Sequence, residues 1–337
     1  MSGDDSVIEG PLHGYHHETY VFPLPGEAGG DRARRWKCRE PREGLLWFDR
    51  RCFASEERLL AALGGRVPGV PEIVEVGGLR LMRFVEGRTL GLLHPSGTQV
   101  PELLGHQIVR LFGRLARVDP WGLTVERRCQ EQDRPADGDT DGFLERLVHF
   151  TEHQVYRANL DRFGELFAEL GLEEESFTYL RKQVSGLARR PFRLLHADLH
   201  RENLIVDPDG VLWVIDWELA MVGDPLYDLA THLHLMRYPA PQARDMAERW
   251  AAVAEAVRPR ATRGWRHDLE RLLAYKRAQS VFTDVIRTAL SLPPAPAPVT
   301  EAAGRLVAVL AEAADPLGLT PPDVPAVAEA LRRWRRG

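Results

Sequence analysis

The segment 194–218 holds four polar residues whose types and spacing suit one kind of chemistry. His196, Asp198 and Asn203 follow the pattern H-x-D-x4-N, and Asp216 stands thirteen positions after Asn203. One carboxylate can orient a hydroxyl group and accept its proton, while an amide oxygen and a second carboxylate can bind magnesium. Phosphoryl transfer from ATP to a hydroxyl requires these groups together.

A predicted hairpin over residues 203–217 brings these groups close to one another. The turn sequence Asp207-Pro-Asp-Gly210 separates two apolar runs, so Asn203 opens the first strand and Asp216 ends the second. For each polar residue taken alone, a solvated surface loop is the simpler interpretation. Because the flanking runs are strongly apolar, we expect the polar cluster to lie beside a hydrophobic core.

Two runs of this region, LLHADLHRENLIV (194–206) and VIDWELAMVGDPLYDLA (214–230), resemble the aminoglycoside phosphotransferase and choline kinase-like family. The resemblance extends over residues 15–290 and is most specific at 194–230. It implies an α+β, two-lobed protein kinase-like fold, with a small N-terminal antiparallel sheet, one helix on that sheet and a larger, mainly helical C-terminal lobe.

The resemblance also implies roles for individual residues. Asp198 would be the catalytic base, Asn203 and Asp216 would bind Mg²⁺ with ATP, and His196 would brace the catalytic loop. Asp228 would hydrogen-bond the catalytic loop from behind, although a purely structural role for it is equally open.

A helix N-terminus is predicted nearby, at Asp224-Pro225. Asp is a favoured N-cap residue and Pro a favoured first helical residue, so we expect Asp224 to cap a helix.

The elements before the polar segment predict a small sheet. Short strands are expected at 18–24 and 34–39, a helix at 50–63, and a hairpin at 72–76 and 79–84. The polar break at 84–88 marks a boundary. We therefore predict an N-terminal nucleotide-binding lobe at 1–86 and a C-terminal catalytic and substrate-binding lobe at 87–337.

Helices dominate beyond this boundary. An apolar stripe runs from Leu104 to Leu115, and further helices are expected at 142–170, 174–187, 226–236, 241–257, 264–290, 300–314 and 322–335. The charged stretch 128–141 predicts a loop.

A kinase needs a strand lysine for the nucleotide phosphates, paired with a helix glutamate. Lys37 is one of three lysines in a chain with 41 arginines, a bias typical of a GC-rich genome. Arg39 lies on the same strand face and is the competing candidate. A compact ammonium group suits this contact, which favours Lys37. The resemblance selects Glu56 as its partner on the following helix.

The resemblance also implies an adenine site at the hinge Met82-Arg-Phe-Val-Glu86. Backbone groups of residues 83–85, with Phe84 at the centre, would bond adenine, and Met82 and Ile215 would pack on it. The loop 12–20 that should cover the phosphates has one glycine, so it departs from G-x-G-x-x-G. The run His16-His17-Glu18 is a poor metal site, because adjacent strand side chains point to opposite faces.

The composition narrows the classes of function. The net charge of −5 gives no electrostatic reason to expect a nucleic acid partner. The chain has no apolar run of about 18 residues that could span a membrane and no apolar signal sequence. Three cysteines without CxxC spacing favour reduced thiols and a cytoplasmic location. The sequence leaves the oligomeric state open.

The sequence therefore predicts an ATP-dependent phosphotransferase acting on a hydroxyl of a small molecule. An antibiotic or natural product of the aminoglycoside or nucleoside type is favoured, for resistance or biosynthesis. A housekeeping kinase of choline, a sugar or an amino alcohol is the alternative. A protein kinase fits less well, because Trp217 replaces Phe and no Ala-Pro-Glu segment follows. An inactive binding module would lack Asp198 or its partner residues, and these are present.

Overall fold

The computed structural model describes residues 8–13, 17–24, 34–42, 46, 48, 50–131, 134–294 and 297–336. The chain divides into two compact units, the first made of Met1–Gln130 with Phe192–Ala261 and the second of Glu131–Pro191 with Thr262–Gly337. The predicted lobe boundary after residue 86 stays a prediction. No helix in the described part of the chain combines the length and the apolar character that a membrane span requires.

Ten strands and twelve α-helices make up the regular structure of the described ranges. The strands are β1 (Glu9–His13), β2 (His17–Pro23), β3 (Arg35–Pro41), β4 (Ile73–Val76), β5 (Leu79–Arg83), β6 (Arg88–Thr89), β7 (Arg193–Leu195), β8 (Leu204–Val206), β9 (Leu212–Val214) and β10 (Met221–Gly223). The helices are α1 (Glu56–Leu63), α2 (Leu90–Leu93), α3 (Glu102–Arg117), α4 (Thr140–Phe150), α5 (Leu160–Glu169), α6 (Glu174–Val184), α7 (Pro225–Met236), α8 (Ala240–Val257), α9 (Trp265–Leu290), α10 (Thr300–Glu312), α11 (Ala314–Leu317) and α12 (Val324–Arg336).

A five-stranded antiparallel sheet, in the order β1-β2-β3-β5-β4, opens the first unit. The predicted strands and hairpin are confirmed to within one or two residues. Side chains alternate along β3, where Trp36 is buried while Lys37 and Arg39 share the opposite face. This alternation directs two cations from one strand toward the same side of the sheet.

The helix predicted from residue 50 begins later, at α1. Ser55 caps it by accepting a hydrogen bond from the Arg58 amide, and Leu59 and Leu60 are buried on its inner face. The preceding residues are extended, because Ala54 N–H bonds the Glu126 carbonyl at 2.9 Å. Backbone pairing with a distant segment therefore overrides the local helical pattern.

The rest of the first unit contains two small sheets and several helices. Strands β6, β8 and β9 form one sheet in that order, and β7 pairs with β10. The hairpin predicted over residues 203–217 is thus confirmed, with Leu204 opposite Val214. Helix α7 begins as predicted, because the Asp224 side chain accepts from the Leu226 amide at 3.0 Å and Pro225 follows at the first helical position.

The second unit is helical. The helix predicted for 142–170 is interrupted between α4 and α5 by a π-helical segment, Thr151–Tyr156, and by a 3₁₀ turn. Its core is aromatic, with Phe177 stacked on Phe282 at 4.7 Å. The buried ion pair of Arg190 and Asp268, 2.6 Å long, lies in the same unit. Together with the N-terminal sheet, this helical majority confirms the predicted α+β class.

Candidate functional site

Asp198 lies in the loop that follows β7, and its carboxylate receives two donors. The side-chain amide of Asn203 donates to the Asp198 backbone carbonyl at 2.9 Å and to Oδ2 at 3.2 Å. The Nε2 atom of His200 lies 3.4 Å from the same Oδ2. Both Asp198 and His200 are half-buried. The predicted base is therefore contacted by Asn203 and His200 and stays partly exposed.

The loop carrying Asp198 is supported from beneath by α7. Asp228, almost fully buried, accepts hydrogen bonds from the amides of His196 at 3.2 Å and Ala197 at 2.7 Å. These bonds confirm that Asp228 contacts the catalytic loop from behind. Ala197 has a φ of 63°, a left-handed conformation that is costly for a residue with a Cβ. The two hydrogen bonds from Asp228 hold this tight turn.

His232 and Arg201 fix the remainder of the same loop. His232 Nδ1 lies 2.9 Å from the Leu199 carbonyl, so Nδ1 carries the proton, and Nε2 accepts from the Tyr238 hydroxyl at 3.0 Å. The guanidinium of Arg201 donates to three backbone carbonyls, of His94, Thr98 and Met236. Burial lowers the pKa of His232 to about 4, which keeps its ring neutral.

Asp216 follows β9 and lies across the hairpin from Asn203, as predicted. The Ile215 amide donates to the Asn203 carbonyl at 3.0 Å. Since Ile215 directly precedes Asp216, this bond joins Asn203 to the neighbour of Asp216, the other proposed metal ligand. Asp216 also has a φ of 63°. Since the Asn203 amide nitrogen faces Asp198, the amide oxygen is the end turned away from it. Amide and carboxylate oxygens are the donors that Mg²⁺ prefers, so this donor set fits that ion.

Two further carboxylates lie beside Asp216. Oxygen atoms of Glu56, Asp216 and Glu218 all lie within 4.8 Å of one another. Burial and the negative charge of Asp216 raise the pKa of Glu218, Arg39 lowers it, and the net result is a pKa of about 7. His17 Nδ1 contacts Glu218 at 3.3 Å. Sequence reasoning missed Glu218, although it is the third residue of the run Asp-Trp-Glu.

Glu56 is nearly buried at the start of α1 and has two partners. Its Oε1 accepts from the Trp217 amide at 2.8 Å, which ties α1 to the residue after Asp216. Its Oε2 forms an ion pair with Arg39, which also lies 3.6 Å from Glu218. The glutamate selected from the sequence therefore does lie at the site, but its cation is Arg39.

The predicted pair of Lys37 with Glu56 is not formed. Both cations lie on the same face of β3, and the longer, forked guanidinium of Arg39 reaches Glu56. Burial and the charge of Arg39 lower the pKa of Lys37, Asp216 and Glu218 raise it, and the net result is a pKa of about 8. Within the described ranges Lys37 forms no ion pair. A contact of Lys37 with nucleotide stays a prediction.

His196 connects the loop that carries Asp198 to the hairpin of β8 and β9. It is fully buried, and its Nε2 donates to the Ile215 carbonyl at 3.1 Å. Its ring packs 4.7 Å from the ring of Trp217. Burial lowers the pKa of His196, so the ring is neutral, and Nδ1 has no partner among the described residues. These contacts are those of a bracing residue, since the ring is sealed from any substrate.

The hinge residues lie at the end of β5. Met82 is buried and opposite Lys37 in the sheet, and the guanidinium of Arg35 lies 4.8 Å from the ring centre of Phe84. The amides of Arg83 and Phe84 already bond the carbonyls of Glu72 and Arg35, each at 2.8 Å. These two N–H groups therefore already have backbone partners and are not free to donate to adenine.

Part of the expected phosphate-covering loop, residues 14–16, lies outside the described residues. The same holds for His16 in the run considered as a metal site. His200 was not predicted as a site residue, and Arg39 was weighed only as the competitor of Lys37. Both depend on distances between side chains, and local spacing does not encode such distances.

The comparisons with known proteins give a family and a fold. The profile described as the phosphotransferase enzyme family matches residues 13–267. No curated protein sequence matches the chain significantly. Solved structures do match, and all have the protein kinase-like fold. At identities below 20%, this structural similarity shows the fold alone.

Three of these solved structures come from different organisms. A macrolide 2'-phosphotransferase from Brachybacterium faecium is 18% identical, covers 95% of this chain and 94% of its own, and has a TM-score of 0.51. A choline/ethanolamine kinase family protein from Mesorhizobium loti is 16% identical over 100% and 95%, with a TM-score of 0.52. An ethanolamine kinase from Plasmodium vivax is 12% identical over 92% and 83%, with a TM-score of 0.53.

Proposed function

This chain belongs to the phosphotransferase enzyme family, and we propose that it transfers the γ-phosphoryl group of ATP to a hydroxyl group of a small molecule. The observation that carries the proposal is the meeting of Asp198, Asn203 and Asp216 around one hairpin. A base and two magnesium ligands are the minimum set for this reaction.

Asp198 is the proposed base. Its carboxylate, oriented by the Asn203 amide at 3.2 Å, would accept a hydrogen bond from the acceptor hydroxyl and take its proton as the new oxygen–phosphorus bond forms. The bond between the γ-phosphorus and the bridging oxygen would break at the same time, and ADP would leave. Asn203 and Asp216 would hold Mg²⁺, which would neutralise charge on the phosphates. His196 and Asp228 keep the loop and the hairpin in register and touch no reacting atom.

The cations of β3 are proposed to stabilise the negative charge of the nucleotide phosphates. Lys37 would contact the phosphates directly, and Arg39, fixed by Glu56, would add positive charge beside it. Met82 and Ile215 would pack against adenine. Because the amides of Arg83 and Phe84 already bond within the sheet, Val85 is the proposed hinge donor.

The acceptor is proposed to be an antibiotic or natural product carrying a hydroxyl group. The arginine-rich composition of a GC-rich genome supports this choice. The structural relatives act on acceptors that differ, because a macrolide and ethanolamine share little beyond a hydroxyl group. A housekeeping role on choline, a sugar or an amino alcohol is the alternative. Since ATP is a cytoplasmic metabolite, we also propose a cytoplasmic location.

A nucleotide-turnover screen tests the proposal. Mg-ATP is incubated with pools of aminoglycosides, macrolides, nucleoside antibiotics, choline-like amines and sugars, and each active pool is resolved by mass spectrometry. We expect acceptor-dependent turnover that falls by about 10³-fold in Asp198→Asn, in line with the loss of a general base.

The same screen can contradict the proposal. Product formation that persists in Asp198→Asn would show that Asp198 is not the catalytic base. Nucleotide binding measured by calorimetry without turnover in any pool would favour a binding module, and an absence of nucleotide binding would overturn the kinase assignment.

A further inference from the structure

His200 contacts both halves of the proposed catalytic machinery. Its Nδ1 accepts a hydrogen bond from the Glu202 amide at 3.2 Å, so His200 caps the 3₁₀ turn Arg201–Asn203. Its Nε2 lies 3.4 Å from Asp198 Oδ2. The turn that His200 caps ends in Asn203, the proposed metal ligand. The His200 ring therefore contacts both Asp198, the proposed base, and the turn that ends in Asn203.

The partners of His200 fix its tautomer. A backbone amide can only donate, so Nδ1 must present its lone pair to Glu202, and the ring proton belongs on Nε2, facing Asp198. In this tautomer the Nε2–H group is directed at the carboxylate.

Asp198 Oδ2 thus receives two donors from opposite ends of the same turn. The Asn203 amide and the His200 ring converge on this one oxygen, at 3.2 Å and 3.4 Å. Two polar contacts on a single oxygen restrict rotation of the carboxylate about its Cβ–Cγ bond more than one contact would. Geometry of this kind matters, because a displacement of about 1 Å at a reacting group can cost about 10²-fold in rate.

We propose that His200 is a positioning residue that fixes the rotation of the Asp198 carboxylate and couples the base to Asn203. This inference rests on the proposed role of Asp198 as the base. A capping role alone would be served equally by Asn, Asp or Ser, which are the preferred N-cap residues. Only a side chain with an acceptor at one end and a donor at the other can serve both contacts.

Two conservative variants separate these contacts. In His200→Asn the short side chain can still cap the turn through its oxygen but cannot reach Asp198. In His200→Gln the amide nitrogen lies near the position of Nε2, so it can donate to Asp198 while the cap is lost. His106→Asn, on the exposed surface of α3, is the matched control.

The experiment measures kcat and the KM for ATP of each variant with the acceptor identified in the screen, after thermal unfolding has shown which variants fold. We expect His200→Asn to lose about 30-fold in kcat with less than about threefold change in KM, and His200→Gln to recover most of that loss. Equal losses in both variants would mean that His200 only caps the turn, and kcat unchanged in both would overturn the inference. If the wild-type protein itself turns over no acceptor, the proposed function fails and this inference fails with it.

Discussion

The loop that carries Asp198 (residues 196–203) and the strand β3 with α1 belong to the same unit, but different side-chain contacts hold them. In the loop, buried Asp228, His232 and Arg201 bond backbone amides and carbonyls. Around β3, which is itself hydrogen-bonded to β2 and β5, the side-chain contacts are ion pairs, such as those of Arg39 with Glu56 and of Arg35 with Glu86. The loop thus depends on hydrogen bonds to its backbone, and the side chains of β3 depend on charge pairs.

This difference fits the roles proposed for the two parts. Asp198 would act as a base only in one orientation, and buried backbone groups that lack a partner are costly, so buried side chains that bond the loop backbone suit that role. Lys37 and Arg39 of β3 would face nucleotide phosphates, and charge-assisted bonds to phosphate would add to the ion pair that Arg39 already forms.

The largest expected effect comes from Asp228→Ala. The variant leaves the amides of His196 and Ala197 buried without an acceptor, and we expect a loss of about 4 kcal/mol in the free energy of unfolding, measured with urea. Asp119→Ala is the control, because exposed Asp119 accepts from one amide only and its loss should cost less than about 1 kcal/mol. Equal losses in the two variants would contradict the prediction.

The second prediction concerns the two cations of β3. Arg39→Met leaves the nearly buried Glu56 carboxylate without its cation and should cost about 3 kcal/mol of unfolding free energy. Lys37→Met is matched in strand and face, and should leave stability unchanged or slightly higher, because burial already disfavours the charged ammonium. Thermal unfolding compares them, and a larger loss in Lys37→Met would reverse our assignment of the ion pair.

The third prediction is a pH dependence from His232. Its pKa of about 4 in the folded state lies below the usual value of 6.5, so below pH 6.5 the unfolded chain binds more protons and stability falls as the pH falls. We expect about 2 kcal/mol to be lost between pH 6.5 and pH 5 in the wild-type protein relative to His232→Gln, measured by urea unfolding at each pH. Parallel stability curves for the two proteins would contradict this.

The smallest effect is expected from Arg35→Gln. Arg35 pairs with Glu86 through two bonds of 2.7 and 2.9 Å, but both side chains are partly exposed, so solvent screens the pair. We expect a loss of about 0.5 kcal/mol that disappears in high salt. A loss comparable to that of Arg39→Met would mean that exposed and buried pairs of β3 contribute alike.

The sequence predicts the parts of the site whose geometry is local. The hairpin, the N-cap at Asp224 and the positions of Asn203 and Asp216 follow from turn residues and strand period, and the structure has each of them. The start of α1 was predicted too early, and the predicted pairing of Lys37 with Glu56 was wrong because Arg39 pairs with Glu56 instead. Both depend on contacts with residues far away in the chain, namely Glu126 and Glu56.

The division of the chain into two units has an evolutionary consequence. Every residue with a proposed part in phosphoryl transfer, from Lys37 to Asp228, belongs to the first unit, and Glu131–Pro191 and Thr262–Gly337 contribute none. Substitutions in those two segments therefore replace none of the proposed chemical groups. The sequence of the second unit can vary among descendants of this chain without exchanging any residue that is proposed for the reaction.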